Sequence, residues 1–160
     1  MMDQTHIVNF RFLAEPTDVN FGGKVHGGMV MKWIDQASYA CASKWSKYYC
    51  VTVSANAIRF IKPIKVGQIV HVTARIVFTG RTSMHIYVSI KAGYPRDKVH
   101  KITNRCFITF IAVDDEGVPA EVPKYEPFSD EDRLLEGVVI QAKDFAKKLD
   151  LNFSFALGWK

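Results

Sequence analysis

The chain has 160 residues, 48% apolar and 23% charged, ordinary proportions for one soluble globular domain with at most an appendage. These values exclude collagen-like, disordered and disulfide-scaffold classes. The formal charge of +5 is uneven, with +10 in residues 1–113 and −5 in residues 114–160; a basic body with an acidic tail suits an anionic small ligand, a nucleic acid or a partner for the tail.

In chain order, Ile7 to Phe12 alternates well enough for a strand. Residues 16–24 are rich in turn formers and read as a loop. After His26 and two glycines, Met29 to about Trp45 runs without Pro or Gly as a helix apolar on most sides, which predicts burial. Four long strands follow, at Cys50–Phe60, Ile69–Thr79, Met84–Ala92 and Ile102–Val113, with hairpin loops at Gly80–Ser83 and Tyr94–Asp97. Consecutive strands without intervening helices imply an antiparallel sheet, so the fold class is α+β, a sheet wrapped around one buried helix.

The character changes at Asp114-Asp115-Glu116-Gly117. Pro119, Pro123 and Pro127 keep the chain extended, and Ser129 caps a charged helix expected to reach roughly Leu149. Phe153, Phe155, Leu157 and Trp159 are too apolar for a free tail and are expected to dock on this subunit or a neighbour. The division is residues 1–120 as the main domain and 121–160 as an acidic extension with a helix.

Cys41, Cys50 and Cys106 leave an odd thiol and no C-x-x-C spacing, which favours reduced core thiols in a cytoplasmic protein over a disulfide or metal role. Residues 1–6 show no basic segment leading into an apolar run, and no stretch approaches the ~18–20 uncharged apolar residues of a membrane span.

Asp35 is the first residue with chemical interest. A solvated helix charge paired with Lys32 is the simpler account, but so apolar a helix offers little solvated face. A carboxylate on its dry side suits a general base. Gly27-Gly28 opens the helix without side chains over its N–H groups, which favours a negative oxygen there or simply a tight turn. Asn20 stands in the preceding loop, where Asn often does no more than stabilise a turn. His26 is a candidate acid or an ordinary helix-start residue, and His71 and His85 have no metal-ligand spacing. Gly80-Arg81-Thr82-Ser83 combines a cation with two hydroxyls and suits a phosphate or a plain hairpin turn. Arg59 and Lys62 flank the Pro63 bend as charges that are usually just solvated.

Taken together, residues 16–28, followed by Met31-Lys32-Trp33-Ile34-Asp35, resemble the signature of hotdog-fold acyl-CoA thioesterases. The likeness is to the acyl-CoA hydrolase branch with short bacterial enzymes and the tandem-domain animal brain enzyme. It continues through Val51-Thr52-Val53-Ser54, Phe60 to Gly67 and Gly80-Arg81-Thr82-Ser83-Met84, over about residues 6–113. The resemblance implies a central helix wrapped by an antiparallel sheet, a dimer with a continuous sheet, and a trimer of dimers. It also implies hydrolysis of acyl-CoA to fatty acid and coenzyme A, with Asn20 and Asp35 supplied by opposite subunits. Asp35 then activates water or attacks directly, Gly28 N–H receives the oxyanion, and Asn20 orients the water or bonds the carbonyl. Substrate binding falls to His26, Gly27, Arg59, Lys62, Gly80, Arg81, Thr82 and Ser83, with Arg81 to Ser83 on the phosphate or pantetheine of coenzyme A. No metal and no separate cofactor is expected, coenzyme A being part of substrate and product. Asn56 departs from the family pattern, where an acidic residue often follows the Val-Ser pair. The rival readings are an enoyl-CoA hydratase using His26 and a non-catalytic acyl-CoA-binding protein, both on the same fold. Nucleic-acid binding is not expected, because the basic residues lie mostly on strands without interleaved exposed aromatics.

Overall fold

A computed structural model describes residues 5–158. Strand β1 (Ile7–Leu13) leads through a short 3-10 turn at Pro16–Asp18 to helix α1 (Gly27–Ser46). Strands β2 (Tyr49–Phe60), β3 (Ile69–Thr79), β4 (Ser83–Gly93) and β5 (Lys101–Val113) follow, and helix α2 (Asp130–Leu157) closes the chain. The five strands form one sheet in the order β1-β3-β4-β5-β2, with every neighbouring pair antiparallel. The two hairpins are those expected from the sequence, and β1 and β2 become the edges.

Alternation explains the layering. Val70, Val72, Ala74 and Ile76 of β3, and Met84, Ile86, Val88 and Ile90 of β4, are fully buried. They meet Trp33, Ile34, Ala37, Cys41 and Ala42 of α1 on the inner face of the sheet. Such burial is worth about 1.5–3 kcal/mol for each large aliphatic side chain. The helix is not dry all round, however: Lys32, Asp35, Gln36 and Tyr39 remain exposed along one side. Small residues at positions 37, 41 and 42 let α1 settle close to the sheet on one stripe only.

Edge strand β2 is nearly all exposed, and it carries two register shifts against β5. Thr52 pairs with inner-facing Phe110, yet Ser54 pairs with Thr109 and Asn56 with Phe107, both on the outer face. A second shift, where Ala57 adopts a left-handed φ of 51°, brings Phe60 back to the inner face opposite Asn104. Bulges of this kind re-aim side chains at sheet edges.

The extension is strapped down. Ala120 N–H donates to Ala112 O, Val122 N–H to Arg81 O, and Trp45 Nε1 to Pro123 O at 2.9 Å. Helix α2 opens with a capping box in which Ser129 and Asp132 bond each other's backbone. Asp132 also meets Arg75 of β3 at 3.3 Å, beside a ring cluster of His6, Tyr125 and Phe128. The helix runs to Leu157, further than Leu149, because no Gly or Pro falls between Leu149 and Gly158. Phe155 and Leu157 are exposed on its last turn and do not dock on this subunit; Trp159 lies outside the described residues.

Burial opposes ionisation of Asp132, but the Ser129 hydrogen bonds and the Arg75 charge outweigh it and hold the carboxyl below its ordinary 3.8. A depressed carboxylate contributes stability above its unfolded value and loses it as pH falls through the folded value. Replacing Asp132 with Ala should therefore cost about 3 kcal/mol at neutral pH, because the capping box is lost and Arg75 keeps only the longer contact to exposed Glu131 at 3.6 Å. In urea unfolding, the gap between variant and wild type should close as pH drops below 3.8.

Candidate active site

Asp35 lies two turns into α1, on its uncovered side. Thr52 of β2 donates its hydroxyl to Asp35 Oδ1 at 2.6 Å, the short length of a charge-assisted bond. This bond pins one carboxylate oxygen and leaves Oδ2 open. Both residues line a cavity of about 710 Å³, walled by Phe10, Tyr39, Tyr49 and Phe110. A carboxylate with a fixed lone pair at the mouth of an aromatic-walled cavity is placed to take a proton from a substrate or a water. The expected dry surroundings are not supplied by this subunit, since Asp35 is exposed.

Asn20, Gly27, Lys24, Lys62 and Phe60 gather around a separate cavity of about 290 Å³. The eight-residue step from Gly27 to Asp35 corresponds to ~12 Å of helix, so one subunit does not bring Asn20 and Asp35 together. Asn20 Oδ1 accepts from the N–H groups of Gly22 and Lys24, at 2.9 and 3.3 Å. This is the turn-stabilising role that Asn often plays, and it leaves the amide nitrogen facing outward as a donor.

The helix start differs from expectation. His26 is the N-cap, and its Nδ1 accepts from Gly28 N–H at 3.0 Å. The Gly28 donor is thus already used, and a Cβ on Gly28 would crowd the same His26 nitrogen at 3.3 Å. Among the described residues nothing accepts from Gly27 N–H, one position earlier. The open donor at the helix N-terminus is therefore Gly27. Because Nδ1 accepts, the ring nitrogen of His26 left for other contacts is Nε2.

The remaining predicted residues spread over both ends of the sheet. Arg59 is exposed on β2 opposite Arg105, beside the Asn20 end. Gly80 to Ser83 sit at the other end: Ser83 pairs with Ile111, next to Phe110, the partner of Thr52. A Cβ on Gly80 would approach Ser83 Oγ to 2.6 Å, so any other residue there would turn that hydroxyl aside. Arg81 forms a loose, exposed ion pair with Glu121 at 3.7 Å, and Thr82 O accepts from Ala112 N–H. Thr52, which bonds Asp35, is not among the candidates singled out from the sequence. A Thr in a β-branched strand carries no sequence signal of its own, and only the fold reveals its bond to Asp35.

Residues 22–97 match the profile of the Thioesterase superfamily. The chain is 35% identical over 116 residues to an uncharacterised acyl-CoA thioester hydrolase of Zymomonas mobilis, covering 71% of this chain and 76% of that one. In structure it resembles an acyl-CoA hydrolase of Staphylococcus aureus solved with butyryl coenzyme A and coenzyme A: TM-score 0.89, 26% identity, 97% of this chain and 94% of that one covered. Structures of the S. aureus enzyme include alanine variants at an asparagine, an aspartate and a threonine. Their spacings, 15 and 17 residues, equal those separating Asn20, Asp35 and Thr52 here. An apo-hexameric acyl-CoA thioesterase aligns with a TM-score of 0.87 at 29% identity, over 92% of this chain and 94% of that one. This chain belongs to the thioesterase superfamily, on the hotdog fold, among the acyl-CoA thioester hydrolases.

Proposed function

We propose that the protein hydrolyses acyl-CoA thioesters at a site shared between two subunits, with Asp35 as general base. The observation that carries this reading is the Thr52–Asp35 bond, together with the separation of Asp35 from Asn20 and Gly27 within one chain. Edge strand β2 has unpaired backbone along its length. If β2 pairs antiparallel with its own copy, its beginning meets the end of the partner strand. Thr52 and Asp35 then come beside the partner's Phe60, Asn20 and Gly27. One pairing closes the sheet edge, encloses Asp35 and assembles two identical sites, and the hexameric neighbours support further assembly as a trimer of dimers.

Within that site Asp35 Oδ2 takes a proton from water, and the water oxygen bonds to the thioester carbonyl carbon. Electrons move onto the carbonyl oxygen, which accepts a hydrogen bond from the partner's Gly27 N–H at the positive end of its helix. The partner's Asn20 donates its amide N–H to the same oxygen or holds the water. Collapse breaks the carbon–sulfur bond, and the proton on Asp35 passes to the thiolate, giving carboxylic acid and coenzyme A. Coenzyme A enters only as part of substrate and product. Lys62 and Arg59 at the Asn20 end, and Arg81, Thr82 and Ser83 at the other, supply positive charge and hydroxyls for its phosphates and pantetheine. The enoyl-CoA hydratase alternative loses support because His26 Nδ1 is engaged in capping the helix. The buried, unpaired thiols Cys41, Cys50 and Cys106 support a reducing compartment such as the cytoplasm.

Two substitutions test the chemistry. Asp35→Asn should lower turnover of acyl-CoA by ~100-fold or more, measured by release of free thiol. Gly27→Pro removes the proposed oxyanion donor, yet proline is accepted at the first position of a helix. It should leave circular dichroism unchanged and reduce turnover by ~10²–10³. Wild-type rates in both variants would overturn the reading.

Thr52→Val keeps the shape of the strand and deletes the bond to Asp35. We expect turnover to fall ~10- to 100-fold through loss of carboxylate orientation, with little change in KM.

The shared site is tested by mixing Asn20→Ala subunits with Asp35→Ala subunits after mild dissociation. Each heterodimer contains one site with both defects and one with neither. Half the dimers are mixed at random, so activity should recover toward about a quarter of wild type by counting intact sites. No recovery, with exchange verified by mass, would show that each site lies within one subunit.

A further inference from the structure

The cavity beside Asp35 and Thr52 has an apolar end. Phe10, Ala40 and Phe110 wall it, and Tyr39 and Tyr49 line it as well. Tyr39 lies one turn beyond Asp35 on the uncovered side of α1. Its ring centre is 5.9 Å from that of Tyr49, with the ring planes at 60°. Helix α1 runs toward the corner at Lys47 and β2 runs away from it. The step from the Asp35–Thr52 bond to the Tyr39–Tyr49 contact is therefore a step in one direction, toward that corner.

The corner holds the two rings in place. Only Lys47 and Tyr48 separate α1 from β2. Lys47 turns the chain with a φ of 65°, and its N–H donates to Ser43 O at 2.9 Å. Ser46 Oγ accepts from Tyr48 N–H at 3.2 Å and meets the buried Cys50 Sγ at 3.3 Å. Tyr49 then pairs with Val113 of β5. Both tyrosines thus stand on regular elements, which place a side chain more precisely than a loop does.

A thioester whose carbonyl carbon meets water at Asp35 Oδ2 has two unlike arms. The coenzyme A arm is charged and belongs with Arg59, Lys62 and Arg81. The acyl arm needs apolar surface, and in this subunit such surface adjoins Asp35 along the groove toward the tyrosines. Four residues separate Asp35 from Tyr39, ~6 Å along the helix. An extended chain advances ~1.2 Å per bond, so about five bonds reach the rings. A longer chain must pass two aromatic rings and displace the hydration of their hydroxyls.

We propose that Tyr39 and Tyr49 set the acyl length this site accepts, with a limit near about six carbons, so that its substrates are coenzyme A esters of short acyl chains. The limit is counted from the Asp35 carboxylate and so rests on the role of Asp35 as general base. Up to the tyrosines each added methylene is buried and raises kcat/KM about fourfold; past them it gains nothing.

The test measures kcat/KM for acetyl-, butyryl-, hexanoyl-, octanoyl- and lauroyl-CoA by thiol release, with the full chain in its native assembly. The wild type should climb as far as hexanoyl-CoA and then level off or decline. Tyr39→Ala and Tyr49→Ala should each raise the ratio of lauroyl- to hexanoyl-CoA by about tenfold. Ala40→Phe, which narrows the groove beside Tyr39, should lower hexanoyl- relative to acetyl-CoA by a similar factor. Each value is a ratio within one preparation, so a partly folded variant does not mimic the effect. A wild-type profile that keeps climbing through lauroyl-CoA, or tyrosine variants with the wild-type ratio, would overturn the proposal. An inactive Asp35→Asn beside unchanged tyrosine ratios strikes the length limit alone. Asp35→Asn at the wild-type rate strikes the general-base role from which the length is counted.

Discussion

Everything in this molecule depends on the contact between α1 and the inner face of the sheet. Trp33, Ile34, Ala37, Cys41 and Ala42 occupy one stripe, and the sheet curves to cover that stripe and no more. The contact fixes where the helix begins relative to β2 and which side of it stays open. Asp35 is exposed for the same reason that Ile34 is buried: neighbouring residues on a helix point about 100° apart. Lying one place from the centre of the core gives the carboxylate a rigid base while leaving it accessible to a ligand.

The strands and the two hairpins could be read from the sequence because burial on the inner face imposes a two-residue period over most of β3 and β4, whereas the places of β1 and β2 at the edges depend on tertiary pairing. The long α2 could not be bounded as well. Its charged middle and apolar end suggested a helix followed by a docked tail, yet the hydrogen-bonded spiral continues until Gly158 offers a left-handed residue to stop it. The paired glycines were correctly placed at the helix start, but which N–H stays open depends on the rotamer of His26, which no periodicity encodes. Thr52 was equally hidden. Its importance arises from a strand and a helix 17 residues apart meeting at 2.6 Å, a fact of tertiary packing.

A single subunit also leaves several demands unmet. The backbone of β2 lacks a partner on one side, Asp35 faces solvent, and Gly27 N–H has no acceptor. Unpaired strand edges invite association, and in the proposed pairing the edge lies between the two half-sites. Under that proposal assembly and chemistry are one physical problem, in which the hydrogen bonds joining the two copies also set the distance across which a thioester must reach.

The two register shifts in β2 carry a consequence for how this protein can vary. Between them the strand turns its alternate side chains outward, so Thr52 and Phe60 look toward α1 while Ser54 and Asn56 look toward α2. One short edge strand therefore serves two opposite surfaces, and the bulges act as a pair of compensating frame changes. Removing the one extra residue of the first bulge would restore regular pairing and leave Ser54 and Asn56 on the outer face, still opposite Thr109 and Phe107. Removing a paired residue between the bulges, such as Ala55, would instead turn Asn56 inward opposite Ile108. Changes of length are therefore absorbed at the bulges and penalised between them, which ties the history of one surface to that of the other.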